Sequence, residues 1–293
     1  MTKSIIAFLL GLTVGLGAVA KAQALERISV ETSFGPREVL LQRAAGGARP
    51  TILVLHGARG TGESAASHTG FAEAASRHGF TAVFPSGVER RWHYGSAVPG
   101  SDPDDVSFLQ ALIRQLIEQG VSDPTRIYIA GVSNGGLMTF AMACKAGELF
   151  AGVATIVANM PAELESCALR PARYVMINST ADQWMPYSGG AVGQYHAGGQ
   201  VLSAEETAAF LERADGCASS ATEALARRGA SSGTSVTRKT WLQCKPGTSV
   251  TFYRVENGGH TVPGTSPPPG DFGPTNQDFS AADAIVSEFA RQR

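Results

Sequence analysis

The sequence predicts an α/β fold: a mostly parallel central sheet with helices on both faces. Three observations predict it. Short β-branched apolar runs alternate along the chain with stretches whose apolar residues recur at three and four. A glycine-flanked serine, Gly131-Val132-Ser133-Asn134-Gly135, stands between one such run and a helix-forming stretch. Further on, an aspartate and a histidine each follow the end of another apolar run.

The elements follow in order. Glu26–Val30 and Arg37–Gln42 read as a leading hairpin, and Thr51–Leu55 as a buried strand. A helix over Ala65–His78 leads to the strand Thr81–Phe84. Val106, Leu109, Leu112, Ile113, Leu116 and Ile117 form one apolar stripe, which predicts a helix over Asp104–Gln119. Asp102, Asp104 and Asp105 stand at its N-terminus, where the macrodipole favours carboxylates, so they read as caps. Arg126–Ala130, Gly152–Val157, Arg173–Asn178 and Ser249–Val255 read as further strands. Helices are expected over Gly135–Cys144, over the exterior stretch Ser203–Ala230 and over Ala281–Arg291. Ser203 with Glu206 forms a capping box at the start of the second of these. Two segments read as loops: Pro85–Pro103, which contains Trp92, His93 and Tyr94, and the Pro/Gly-rich Gly264–Pro274. No repeat or appended module is evident.

A serine on a sharp strand-to-helix turn forms a nucleophile elbow that exposes its hydroxyl, and its glycines sit where a Cβ would clash. A serine hydroxyl is a weak nucleophile, so the elbow calls for a base and for an acid that orients the base. In this fold both follow the serine in chain order. Only His196 and His260 do so among histidines. His260 lies in a glycine-rich loop directly after the strand Ser249–Val255, and His196 has no strand before it, so His260 is the expected base. Asp182 follows the strand Arg173–Asn178 and is the expected acid, ahead of Glu163, Glu165 and Asp215. The strand Thr51–Leu55 ends in His56-Gly57-Ala58-Arg59-Gly60, a loop able to offer a backbone N–H to an oxyanion. Ala58 is the first choice for that donor and Arg59 the second, joined by the N–H of Asn134. His56 precedes the serine and is expected to lock the loop by hydrogen bonds.

Residues 1–24 read as a signal peptide, leaving 25–293 as one catalytic domain. Lys3 supplies the positive start, Ile5–Ala20 the apolar stretch, and Ala20-Lys21-Ala22 or Ala22-Gln23-Ala24 the cleavage site. The stretch is short for a membrane span, and no cysteine marks a lipid anchor. The expected location is extracellular or periplasmic, with no membrane anchor. Lys and Arg number 24 against 25 Asp and Glu, and no basic run exceeds Arg90-Arg91, so nucleic acid is excluded as a partner. Cys144, Cys167, Cys217 and Cys244 make an even count that suits exported disulfides, with three pairings possible. No Cys-x-x-Cys occurs and no histidine adjoins a cysteine, so no metal site is expected.

The chain resembles a family: the secreted α/β-hydrolase esterases that include polyhydroxybutyrate depolymerases, LpqC-type esterases, and feruloyl and acetylxylan esterases. The matching stretches are 53–57, 104–109, 121–128, 131–136, Ala181-Asp182 with 186–190, and 258–264. Asp104-Asp105-Val106-x-Phe108 followed by Ser133-Asn134-Gly135-Gly136 carries most of the specificity. The resemblance implies the set Ser133, Asp182 and His260, disulfides Cys144–Cys167 and Cys217–Cys244, and ester hydrolysis through an acyl-enzyme without cofactor or metal. Members commonly carry Trp after the His-Thr pair, where this chain has Val262, and Gly where it has Ser179. Loss of that aromatic tilts the expected substrate toward hydroxybutyrate-type oligomers or short esters. Feruloyl or acetylxylan esters are the alternative, with Trp92, Trp184 and Tyr187 as other candidates for the cleft wall. A prolyl-oligopeptidase-like serine peptidase shares the elbow and the order of the three groups, and is the alternative from another class.

Overall fold

A computed structural model describes residues 25–33, 35–94, 104–193, 199–228 and 233–291. Its first strands are β1 (Glu26–Val30), β2 (Arg37–Gln42) and β3 (Arg49–Leu55). Helices α1 (Gly62–His68) and α2 (Phe71–His78) lead to β4 (Thr81–Pro85). Next come α3 (Asp105–Glu118), β5 (Ser122–Val132), α4 (Asn134–Lys145), β6 (Gly152–Ile156) and β7 (Arg173–Ser179). A small hairpin, β8 (Gly190–Ala191) and β9 (Gln200–Val201), precedes α5 (Ala204–Asp215). The chain closes with β10 (Ser219–Ala224), β11 (Ser235–Leu242), β12 (Ser249–Glu256) and α6 (Ala281–Ala290).

The main sheet runs β1-β2-β4-β3-β5-β6-β7-β12-β11-β10. From β4 to β12 every neighbour is parallel, and an antiparallel pair extends each end. The period of two in the strands explains the layers. Leu53 and Leu55 of β3 point to the face covered by α3, α4 and α5, while Ile52 and Val54 point to the face covered by α1, α2 and α6. Strands buried on both sides need the continuous apolar runs that this sequence shows. Helix α4 has a long buried stretch, Asn134 to Ala143, since it packs under the middle of the sheet.

Three expectations need correction. The helix expected over 65–78 is two helices, because Gly70 adopts φ 77° between them. The stretch 203–230 is helical only to Asp215. Gly216, left-handed at φ 60°, ends α5, and the next residues pair as edge strand β10 with β11, a strand that the sequence reading did not find. Asp104 does cap α3 by accepting from the Ser107 N–H, but Asp105 is no cap: it is buried and pairs with Arg37 and His93. Asp102 and the segment 1–24 lie outside the described residues. The capping box of Ser203 and Glu206 is present. Both disulfides form as the resemblance implied, Cys144–Cys167 and Cys217–Cys244, closing loops of 23 and 27 residues. Each such loop stabilises by ~3 kcal/mol in the chain-entropy model.

Candidate active site

Strand register sets the site. Leu55 lies level with Gly131, Val132 with Ile156, Ile156 with Ile177 and Ser179 with Val255. Five parallel strands therefore end together, and the loops leaving them converge beyond their carboxyl ends, where open sheets place ligands.

Ser133 leads from β5 into α4 with φ 54° and ψ −119°, a backbone strain stored at the turn. The turn is possible because of its glycines. A Cβ on Gly131 would overlap the carbonyl of Gly135, and one on Gly135 would overlap the carbonyls of Leu55 and His56. Gly135→Ala is expected to cost ~1–3 kcal/mol by overpacking against backbone. Denaturant unfolding checks it, and an unchanged midpoint would show that the elbow is looser than this.

Asp182 reaches His260 across the ends of β7 and β12. The Ala181 N–H donates to the Gly258 carbonyl, which ties the two loops together (3.0 Å). Asp182 Oδ1 accepts from the N–H groups of Trp184 and Met185, both at 2.8 Å. Its Oδ2 lies 2.7 Å from His260 Nδ1, and His260 Nε2 lies 2.8 Å from Ser133 Oγ. A carboxylate only accepts, so Nδ1 donates to it and Nε2 is left to accept from the serine hydroxyl. The Asp182 side chain is 1% exposed and that of His260 10%, so the chain of bonds is shielded from water. Such an alignment can take a proton from Ser133 as its oxygen attacks, with the resulting imidazolium held by the buried carboxylate.

The remaining expected residues fall into place or out of it. The Arg59 N–H donates to the Arg90 carbonyl at 2.8 Å and is therefore engaged. The Ala58 N–H has no acceptor within the chain among the described residues. The Asn134 N–H is at the first position of α4, among the donors that a helix leaves without a partner. His56 locks its loop: Nδ1 donates to the Gly57 carbonyl at 2.7 Å and Nε2 accepts from the Gly87 N–H at 2.9 Å. Burial holds its pKa below the ordinary value, which keeps the imidazole neutral for that pair of bonds. Glu163 and Glu165 sit on or beside one short turn near 162–164, and Asp215 closes α5 and accepts from the Ala172 N–H. The acid bonded to His260 is Asp182. His196 lies outside the described residues.

Of the cleft candidates, Trp92 is overturned. It is 0% exposed, and its indole N–H donates to the His56 carbonyl. Val262 is half-buried against the core. Tyr187 is half-buried and its hydroxyl donates to Glu205; burial first, and then that bond, push its pKa up. Trp184 is half-exposed and stacks on Phe272 at 5.7 Å, and Phe272 stacks in turn on His260 at 6.3 Å. The Phe272 carbonyl accepts from the His260 N–H, which ties its loop to the base. The sequence reading missed it because it sits in a Pro/Gly-rich loop with no strand to announce it.

The model of the prolyl oligopeptidase family matches residues 102–183, the span from α3 through the elbow to Asp182. A protein of Nocardia uniformis subsp. tsuyamanensis named "Putative esterase NocK" is 32% identical over 255 residues, covering 81% of this chain and 73% of that protein. Feruloyl esterase B of Piromyces equi is 28% identical over 49% of this chain. Poly(3-hydroxybutyrate) depolymerase of Ralstonia pickettii is 32% identical over 36% of it. The match spans only 28% and 25% of the lengths of those two proteins. Among solved structures, the acetyl xylan esterase from Aspergillus awamori superposes with a TM-score of 0.56 at 17% identity, over 82% of this chain and 95% of that one, which shows the fold. Fold, elbow and a relative 32% identical over 81% of this chain and 73% of its own length agree: the chain belongs to the α/β-hydrolase esterases, the family that includes polyhydroxybutyrate depolymerases and feruloyl and acetylxylan esterases.

Proposed function

We propose that the protein is an exported serine esterase acting through Ser133, His260 and Asp182. The observation that carries this reading is the unbroken chain of hydrogen bonds from Asp182 through His260 to Ser133. Ser133 Oγ attacks the ester carbonyl while His260 Nε2 takes its proton. The Ala58 and Asn134 N–H groups hold the oxyanion of the tetrahedral intermediate. Collapse expels the alkoxide, which receives the proton from His260 and leaves an acyl-serine. Water, deprotonated by His260, then releases the acid and restores Ser133. Asp182 fixes the imidazole and stabilises its charged form throughout. Export is supported by the apolar N-terminal segment and by two disulfides, which persist in oxidising compartments. Among the described residues no helix is long and apolar enough to cross a membrane.

For the substrate we favour hydroxybutyrate-type oligomers or short esters. Val262, packed against the core, stands where the resembling esterases commonly carry Trp, so one ring surface for a ferulate is missing. The Trp184–Phe272 shelf beside His260 favours the second reading, a feruloyl or acetylxylan ester whose ring lies on it. The prolyl oligopeptidase match supports a third, a peptidase. One panel separates them: hydroxybutyrate oligomers, methyl ferulate, acetylated xylan and a proline-containing peptide amide, compared by kcat/KM. The oligomers or simple short esters are expected first, ferulate lower and the amide negligible. A ferulate preference above ~10-fold would move the assignment to the shelf reading, and a winning amide would end the esterase proposal.

A further inference from the structure

The Arg37, Trp92, Asp105 and Asn134 side chains form a connected buried network behind Ser133 that the proposed chemistry does not use. Trp92 is its centre. Its indole Nε1–H donates to the His56 carbonyl at 3.0 Å, two residues before Ala58. Its backbone meets the Asn134 side chain twice: the Trp92 N–H donates to Asn134 Oδ1 at 2.7 Å, and Asn134 Nδ2 donates to the Trp92 carbonyl at 3.1 Å. One residue thus holds both segments that carry the proposed oxyanion donors.

The strut is itself anchored. The next residue, His93, donates its N–H to Asp105 Oδ2 at 2.8 Å, and Asp105 Oδ1 accepts from Arg37 Nη1 at 2.6 Å. Arg37 Nη2 donates to the Ser86 carbonyl, and its guanidinium lies 3.5 Å over the Phe108 ring. Burying an ion pair here is costlier than apolar packing of the same volume. The pair fixes where β2, the 86–93 loop and α3 meet, and so where the Trp92 backbone stands. Phenylalanine could fill nearly the same space, but it carries no donor for the His56 carbonyl.

We propose that Trp92 is a positioning residue that couples the two oxyanion donors, with the Arg37–Asp105 pair as its anchor. This rests on the esterase reading of Ser133. An oxyanion hole acts only on the charge that develops in the transition state, and its donors must sit about 2.7–3.1 Å from that oxygen. Loosening the strut therefore lowers kcat and spares substrate binding.

The test uses Trp92→Phe, Asn134→Ala and the double variant in the full chain, with a p-nitrophenyl ester as substrate. A trifluoromethyl ketone serves as mimic of the tetrahedral intermediate. Trp92→Phe should lower kcat ~10-fold with KM within about twofold, and weaken ketone inhibition by the same factor. Asn134→Ala keeps its own backbone N–H and should show the same pattern. The double variant should lose less than the product of the single losses, because both changes release one strut. Unchanged kcat in either single variant overturns the proposal, as does a loss shared between kcat and KM with ketone affinity intact. If Trp92→Phe does not fold, Asn134→Ala alone decides by the same readouts. Full activity in Ser133→Ala would instead sink the esterase reading, so the two failures are distinguishable.

Discussion

Replacing Ser133 with alanine is expected to abolish covalent labelling by a fluorophosphonate and to lower hydrolysis of a short p-nitrophenyl ester by ~10³-fold or more. The wild-type chain should take one label, mapped to the peptide that contains Ser133. The size of the loss follows from the bond chain: His260 Nε2 has one partner to deprotonate, and that is Ser133 Oγ at 2.8 Å. Triad members act as a unit, so removing one forfeits nearly what removing all would forfeit. Alanine keeps the Cβ and loses only the hydroxyl, so the strained turn at φ 54° persists and thermal unfolding should barely move. Labelling that survives the substitution, or activity within ~10-fold of wild type, would remove Ser133 from the chemistry altogether.

The three groups of that chain were legible because each follows an apolar strand, and parallel strands deliver their following loops to one end of a sheet. Ser133, Asp182 and His260 needed only strand order and chain order. What could not be read depended on partners distant in sequence. Ala58 ranked ahead of Arg59 by sequence, but what separates them is the Arg90 carbonyl, from a separate loop, which takes the Arg59 N–H. Asp104 and Asp105 look like two caps, yet Arg37 from the leading hairpin draws the second one inward. Trp92, in a loop with His93 and Tyr94, has the composition of a cleft wall. Burial turns it into a strut, because its one donor faces the His56 carbonyl. β10 carries Ser219-Ser220-Ala221-Thr222-Glu223-Ala224, exposed throughout, with no apolar alternation to reveal it. It exists by pairing with β11 at the sheet edge.

Asp182→Asn is expected to lower kcat by ~10⁴-fold while leaving the fold intact. The reason lies in the other side of the carboxylate. Oδ1 accepts from the Trp184 and Met185 N–H groups, so that position demands an acceptor. An asparagine satisfies it with its carbonyl oxygen, and its amide NH₂ then faces His260 Nδ1. A donor there forces Nδ1 to accept, which moves the imidazole proton to Nε2. Nε2–H can no longer accept the Ser133 proton, so the base is present but in the wrong tautomer. Thermal unfolding should change little, because the backbone donors and the packing are kept. ¹⁵N NMR of the imidazole should show the proton on Nε2 in the variant and on Nδ1 in the wild type. If kcat falls less than ~10-fold, or the proton stays on Nδ1, then Asp182 does not set the tautomer, and the acid in the proposed mechanism must be sought elsewhere.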